Sequence, residues 1–453
     1  IALPFHPSNA YTIHEFLENM AHMLHMVEQN TRDQLGIEPP APLSAKIKNG
    51  KFHVDQAVIA GCSGGTYQNL RRAAEILGTT ATGSDHFWLS CYPGSMPVMQ
   101  ELTRQGYITT LMAAGASVRS CFCGPCFGAG DVPANGAFSI RHSTRNFPNR
   151  EGSKPGEGQI SAVALMDARS IAATAANGGV LTAASEVLDQ PLETPPCRFD
   201  AGIYEKRVYN GWGKAEPDYA LKFGPNIKDW PEQPALTDDL LLKVASYITD
   251  PVTTTDELIP SGETSSYRSN PLRLAEFTLS RKDPAYVGRA KAVKAMDEAR
   301  KAGSLPAEVQ AVYDALAKAG VQADGAAANI GSAVFAVKPG DGSAREQAAS
   351  CQRVLGGAAN FACEYATKRY RSNCINWGML PFLVEDPDAL ALDSYVFVPG
   401  VRRALLEAAD AMTGYVVGAD GSVTPVTLRL GALTDDERQI LADGCLINYY
   451  KNH

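Results

Sequence analysis

Ser120-Cys121-Phe122-Cys123-Gly124-Pro125-Cys126-Phe127-Gly128 sets three thiols within six positions, the last two spaced as C-x-x-C. That spacing lets two thiolates converge on one metal centre, and Gly124-Pro125 favours the tight turn they need. By itself the pair leaves zinc, iron–sulfur and thiol redox chemistry open. A zinc ribbon would need a second C-x-x-C pair, and no other cysteines of the chain form one. The residues around the motif have to decide.

Strand–loop–helix units lead up to it. Phe52–Ile59 is apolar and β-branched enough for a buried strand, followed by the loop Gly61-Cys62-Ser63-Gly64-Gly65 and a helix with Leu70, Ala73, Ala74 and Leu77 on one face. A second strand is expected at about His86–Cys91, then the turn Tyr92-Pro93-Gly94 and a helix capped by Ser95 and closed by Gly106. The third, near Ala116–Ser120, runs into the cysteines. This alternation predicts a three-layer α/β/α domain with a mostly parallel sheet, whose ligands gather at the strands' carboxyl ends. Cys62, Pro93-Gly94 and Cys123/Cys126 all fall at such ends, so Cys62 is expected to join the pair as a third thiolate. The plainer alternative makes Cys62 a small buried hydrophobe. Its flanking glycines argue against that, because they let backbone approach a ligand closely. Cys91 and Cys121 are expected not to be ligands.

Ahead of this region, Ile13, Phe16, Leu17, Met20, Leu24 and Val27 form a helical stripe over residues 11–29. His22 and His25 on that helix are read as solvated or core residues. Pro39, Pro40 and Pro42 break the chain. Beyond the cysteines, Arg141-His142-Ser143-Thr144-Arg145-Asn146-Phe147-Pro148-Asn149-Arg150 is read as a loop whose arginines offer forked donors for carboxylates. A helix at about Asp167–Ala176 ends at Gly178-Gly179. Residues 188–236 show neither helical nor strand periodicity and are expected to link residues 1–187 to a second domain, 237–453.

That domain opens with an apolar strand, Leu240–Ile248, followed by Thr253-Thr254-Thr255-Asp256 and a polar loop to Arg268. Helices near 285–302 and 306–319 end at Gly303 and Gly320. A short strand, Ala333–Val337, leads into Gly340-Asp341-Gly342-Ser343-Ala344-Arg345-Glu346, which turns into a helix with Ser343 expected at its N-cap. The glycines and Arg345 make an anion site there plausible.

Composition narrows the class. The 453 residues are 45% hydrophobic and 20% charged, and 41 basic against 49 acidic residues give a net charge of −8 with no basic patch for nucleic acid. Ten cysteines in so long a chain suggest a reducing compartment, the cytoplasm first and the mitochondrial matrix second. No apolar run approaches the roughly 20 residues of a membrane span. The sequence starts at Ile1 without a methionine, which suggests a fragment or a processed product.

Taken together, these motifs resemble the aconitase family of iron–sulfur hydro-lyases, over nearly the whole chain and in the family's order. Gly61-Cys62-Ser63-Gly64-Gly65-Thr66 looks like the family's G-S-C-T-N-S loop, and Pro93-Gly94-Ser95 like its P-G-S turn. Cys123-Gly124-Pro125-Cys126-Phe127-Gly128 is similar to C-G-P-C-I-G, and Thr144-Arg145-Asn146-Phe147 with Arg150 to N-R-N-F-x-x-R. Further on, Thr254-Thr255-Asp256 looks like T-T-D-H with Arg268 at the following arginine's spacing, and Gly342-Ser343-Ala344-Arg345-Glu346 like G-S-S-R-E.

The resemblance implies a [4Fe-4S] cluster on Cys62, Cys123 and Cys126, with one iron left open as a Lewis acid. It implies substrate carboxylates clamped by Arg145, Arg150 and Arg268, Ser343 as base with Arg345 beside it, and Asp256 as a further catalytic residue. It also implies that residues 237–453 are a swivelling β/β/α domain. The substrate would be a small hydroxy-polycarboxylate. The family carries two more domains ahead of the first cluster cysteine, so a separate N-terminal segment or chain is expected to complete the site, and this chain alone is expected to be inactive. Differences fall in the substrate pocket: Ala344, Glu257, Gln347 and Thr144 replace the family's Ser, His, His and Asn, and Gly64-Gly65 replace polar side chains beside the first cysteine. A non-catalytic relative keeping its cluster for sensing or binding, and a structural zinc protein, are the alternative readings.

Overall fold

The computed structural model describes residues 1–82, 87–188, 196–260 and 264–453, apart from the side chains of residues 34, 35 and 265. The predicted start of the second strand at His86, residues 189–195 of the expected linker and residues 261–263 of the polar loop lie outside the described residues. The chain divides into two compact units, Ile1–Ala220 and Leu221–His453.

Five parallel strands make the sheet of the first unit: β1 (Gln56–Ile59), β2 (Trp88–Cys91), β3 (Ser117–Val118), β4 (Phe138–His142) and β5 (Ala162–Leu165). Their order across the sheet is β3-β2-β1-β4-β5. Helices Tyr67–Leu77, Met96–Arg104, Tyr107–Ala113 and Ala168–Ala176 provide the connections and flanking layers, so this unit is α/β with a parallel sheet. The order reverses direction between β1 and β4. An open parallel sheet leaves a crevice at that point, outside the carboxyl ends of its strands.

Burial explains why the strands form. All four residues of β1 are buried, the pattern of a strand covered on both faces. Ser95 caps the helix after β2, its hydroxyl accepting from the Val98 N–H at 3.4 Å. The N-terminal helices are tied to the sheet by a ladder of rings. Phe16 meets Phe52 at 5.1 Å and Phe52 meets Phe138 at 4.9 Å, both edge-on. Such pairs contribute roughly 0.5–1.5 kcal/mol each beyond area burial. The two outer strands are guarded. Strand β3 has only two residues, and Ala2 bridges β5, its N–H and C=O both paired with Leu165 at 2.8 Å.

Several elements differ from expectation. The N-terminal helix is two helices, Ile13–Glu18 and Met20–Leu35, broken at Asn19, whose amide donates to the Glu15 carbonyl. The first strand is shorter than Phe52–Ile59, because Lys51–Phe52 pairs instead with Ile47–Lys48 as a small hairpin. Strands β4 and β5 are additions. Arg141 and His142 therefore belong to a strand and not to a loop, with Arg141 only 1% exposed.

The second unit is built on a closed seven-stranded barrel, in the order Asn329–Ala336, Gly357–Ala362, Leu380–Val384, Val423–Arg429, Met412–Val417, Tyr395–Val398 and Leu240–Ile248. Phe335, Phe361, Phe382 and Val396 fill one core cluster. Helices Tyr286–Lys301 and Ala307–Lys318 fall within a residue of their expected limits. The strand expected at Ala333–Val337 begins earlier, at Asn329, where it is paired with Leu240. Between the β-sheet of the first unit and this barrel, residues 206–229 are exposed, Trp212 at 92%. Trp230 is the first ring to settle, 4.4 Å from Trp377.

A Cβ built at Gly64 would overlap the His142 carbonyl, whereas one at Gly156 would meet nothing. Gly64→Ala should therefore lower stability by about 1–3 kcal/mol, the usual range for overpacking, while Gly156→Ala should leave it unchanged. Denaturant midpoints of the two variants check this, and equal midpoints would refute the close approach.

Candidate functional site

At the switch point, β1 delivers Gly61–Gly64, a single helical turn carrying Cys62, and β4 delivers Ser143 to Arg150. The Ala60 N–H donates to the His142 carbonyl at 3.0 Å and binds the two strand ends together. Gly61 has a φ of +75°, and a Cβ there would stand 2.9 Å from Cys126 Sγ. A Cβ on Gly65 would run into the Tyr92 carbonyl and reach 2.7 Å from the Gly94 N, while the Gly94 N–H donates to the Gly65 carbonyl at 2.7 Å. Three loops thus meet with only glycine backbone between them. The glycines at 64 and 65, where the family has side chains, are demanded by this contact.

The thiols differ in exposure. Cys62 and Cys123 are exposed, Cys126 is buried, and all ten cysteines are unbridged. Burial pushes the Cys126 thiol up, and the neighbouring Cys123 adds to this. The Thr144 backbone N–H and the guanidinium groups of Arg141 and Arg150 act in the other direction. Cys91 lies wholly inside, its thiol pushed up to about 12 by burial, which keeps it inert. Cys121 is half-buried and also raised by burial. Among the described residues, no three His, Cys, Asp or Glu side chains form a group that could hold a single metal ion.

Beneath the cysteine turn lies a polar network. Arg141 donates to the Pro125 carbonyl at 2.8 Å, to Gln56 Oε1 at 2.9 Å, to Ser139 Oγ at 3.1 Å and to the Asp131 carbonyl at 2.5 Å. The Asp131 carboxylate accepts from Ser90 Oγ at 2.9 Å and Tyr92 Oη at 2.6 Å. Tyr92 is pushed up to about 12, by burial first and by Asp131 second. Arg145 turns back on its own loop, with Nη1 donating to the Thr144 carbonyl at 2.8 Å.

Sequence reasoning placed Arg141 in a carboxylate-binding loop and passed over Asp131 and the Thr144 N–H. A signal for a strand at Arg141 was present, since Phe138-Ser139-Ile140-Arg141 alternates apolar and polar as a strand does.

In the second unit, Thr253–Thr254 pairs in parallel with Pro339–Asp341, so the segment carrying Asp256 and the one carrying Ser343 and Arg345 lie side by side. The N-cap of the helix Arg345–Val354 is Ala344, one residue later than expected, and it makes no side-chain cap. Thr255 Oγ1 substitutes, accepting from the Ala344 N–H at 3.2 Å and filling the space where a Cβ on Gly342 would fall. Ser343 is left half-buried just outside the helix. Arg345 Nε donates to Thr367 Oγ1 at 3.2 Å, and Thr367 Oγ1 donates to the Gly340 carbonyl at 3.1 Å. Glu257 closes a capping box with Thr254: its carboxylate accepts from the Thr254 N–H at 2.7 Å. Arg268 is exposed at the end of the short turn Ser265–Tyr267.

Comparison with known proteins agrees with the first unit. Residues 1–173 match the model of the aconitase family (aconitate hydratase). The homoaconitase large subunit of Thermus thermophilus is 35% identical over 151 residues, 33% of this chain and 34% of that protein. The 3-isopropylmalate dehydratase large subunit of Clostridioides difficile is 34% identical over 136 residues, 30% of each. A solved 3-isopropylmalate dehydratase (leuD) covers 47% of this chain with a TM-score of 0.30 and 18% identity, too low to bear on the fold. The likeness to the aconitase family lies in residues 1–173. It spans about a third of the length of the curated relatives it matches.

In the metal-free chain, Cys126 should alkylate more slowly at pH 8 than an ordinary cysteine and speed up as the pH rises beyond it, because its raised pKa lowers the thiolate fraction. Mass-mapped iodoacetamide labelling measures this. Fast labelling of Cys126 at pH 8 would contradict the burial.

Proposed function

We propose that this chain is the cluster-holding and base-holding part of an iron–sulfur hydro-lyase acting on a small hydroxy-polycarboxylate. The observation that carries the reading is the meeting of the Cys62, Cys126 and Arg145 loops at the switch point of a parallel sheet, within residues that match the aconitase family. Relatives bearing the names homoaconitase and 3-isopropylmalate dehydratase support the substrate class.

The donor set suits a [4Fe-4S] cluster better than zinc. Cys126 Sγ lies against Gly61, next to Cys62, and is coupled to Cys123. Thiolates that ligate separate irons need not converge on one point, whereas four zinc ligands must. Cys62, Cys123 and Cys126 would hold the cluster. When bound, it supplies a Lewis-acidic iron for the substrate's hydroxyl and carboxylate.

The chain's own residues do the rest. Arg145, Arg150 and Arg268 clamp carboxylates with forked donors. Ser343 Oγ, held as an alkoxide by Arg345 and the N–H groups at the start of Arg345–Val354, takes the proton α to a carboxylate and becomes a neutral hydroxyl. Asp256, on the neighbouring segment, holds or passes the proton exchanged with the leaving hydroxyl. A separate segment or chain completes the site, as the relatives named large subunits suggest for their own assemblies. A reducing compartment, the cytoplasm or the mitochondrial matrix, suits free thiolates of this kind.

Anaerobic reconstitution with iron and sulfide tests the cluster. Visible absorbance and bound iron should fall to background in Cys62→Ser, Cys123→Ser and Cys126→Ser, and stay at the parent level in Cys91→Ser and Cys121→Ser. Iron loss in Cys121→Ser with none in Cys62→Ser would show that the ligand set is wrong. A substrate-dependent change in the electron paramagnetic resonance of the reduced cluster, on adding hydroxy-polycarboxylates one at a time, then tests the substrate class. No response to any of them favours the sensing relative.

For the base, Ser343→Ala in the completed enzyme should lower kcat steeply with KM nearly constant, because the alkoxide matters chiefly in the transition state. A rise in KM at constant kcat would make Ser343 a binding residue only.

A further inference from the structure

Arg141 is 1% exposed, yet every partner of its guanidinium is neutral: two backbone carbonyls, an amide oxygen and a hydroxyl. A buried charge held only by neutral acceptors is costly unless opposite charge lies close by. Glu151 and Asp131 attract it through space, but neither carboxylate bonds it directly. Asp131 is turned to Ser90 and Tyr92, and Glu151 accepts from Ser161 Oγ at 2.9 Å. What Arg141 does reach is the turn of the C-x-x-C motif, through the Pro125 carbonyl, one residue before Cys126. The Cys126 sulfur itself accepts the Thr144 N–H, from the loop that β4 runs into. Strand β4 and the loop after it therefore hold the Cys126 turn at two points, one of them a buried guanidinium.

We propose that Arg141 is a positioning residue for the cluster: it pins the Gly124–Cys126 turn to the end of β4 and supplies the buried positive charge that the cluster thiolates balance. This rests on the cluster assigned to Cys62, Cys123 and Cys126 above. Glu151 and Asp131 attract the guanidinium through space, and Cys126 adds to them, so the thiolate and the guanidinium stabilise each other and removing the charge should loosen the bound cluster and make it harder to reduce. Net charge and hydrogen bonding around such clusters set their potentials, and residues behind the ligands commonly change metal affinity by roughly 10–100-fold.

The test uses the whole chain, reconstituted anaerobically as the parent, Arg141→Gln and Arg141→Lys, with circular dichroism to confirm folding. Release of iron to a chelator and the midpoint potential of the cluster are measured for each. Arg141→Gln should release iron roughly 10–100-fold faster and shift the midpoint to a more negative value. Arg141→Lys, which keeps the charge but not the fork, should restore the midpoint while still releasing iron faster than the parent. A purely structural arginine would not move the potential, and parent-like release and midpoint in a folded Arg141→Gln overturn the proposal. If Arg141→Gln does not fold, Arg141→Lys decides: faster iron release with a parent-like midpoint supports the proposal, and parent-like release or a shifted midpoint overturns it. A parent chain that takes up no iron sinks the cluster reading itself, and this inference with it. A loaded parent with indifferent variants sinks only the role of Arg141.

Discussion

The carbonyl of His142 accepts the Ala60 N–H and leaves no room for a side chain at Gly64. Much of the first unit's site depends on this contact. It brings the turn after β1 and the loop after β4 together at the one place where the sheet's order reverses, and it does so with backbone alone. Gly61 then admits the sulfur of Cys126, and Gly65 admits the turn after β2. A side chain at any of these positions would push apart the segments that carry Cys62, Cys126 and Arg145. The cysteines and the glycines thus form one geometric unit, in which chemistry and close approach are specified together.

Much of the first unit was legible because its signals are local. Apolar β1, the glycine loop, the Ser95 cap and the C-x-x-C turn each declare themselves within a few residues. Strands β4 and β5 did not. Phe138–His142 is short, and its polar positions include an arginine that reads as a solvated loop until the polar partners supplied by Gln56, Pro125 and Asp131 are in place. Those partners are distant in sequence, so the alternation next to Arg141 marks a strand but not the residue's burial. The N-terminal helix ran past its expected end and broke at Asn19, where the break is held by a side-chain amide and not by proline or glycine.

In the second unit, helix limits were legible from Gly303 and Gly320, while the closure of the barrel was not, since it depends on pairings such as Leu240 with Asn329. The Ser343 segment shows the same division. Its glycines marked a turn before a helix, but the cap fell to Ala344 because Thr255, from a segment nearly ninety positions earlier, provides the hydroxyl. Ser343 is thereby left outside the cap. Glu257 looks like a lost histidine in sequence, whereas in the fold it is a capping partner for Thr254.

The barrel closes on itself, and the sheet of the first unit ends on one side in a two-residue strand and on the other under Ala2. Among the described residues, neither of these sheets therefore offers a long row of unpaired backbone groups to a second molecule. A chain that carries free thiols and unwinds part of its surface can associate edge to edge and then be cross-linked by oxidation. Here the first of those two steps has little to grip. The bridge at Ala2 consequently acts as a guard against aggregation, and trimming the first few residues would uncover β5 to other copies of the chain.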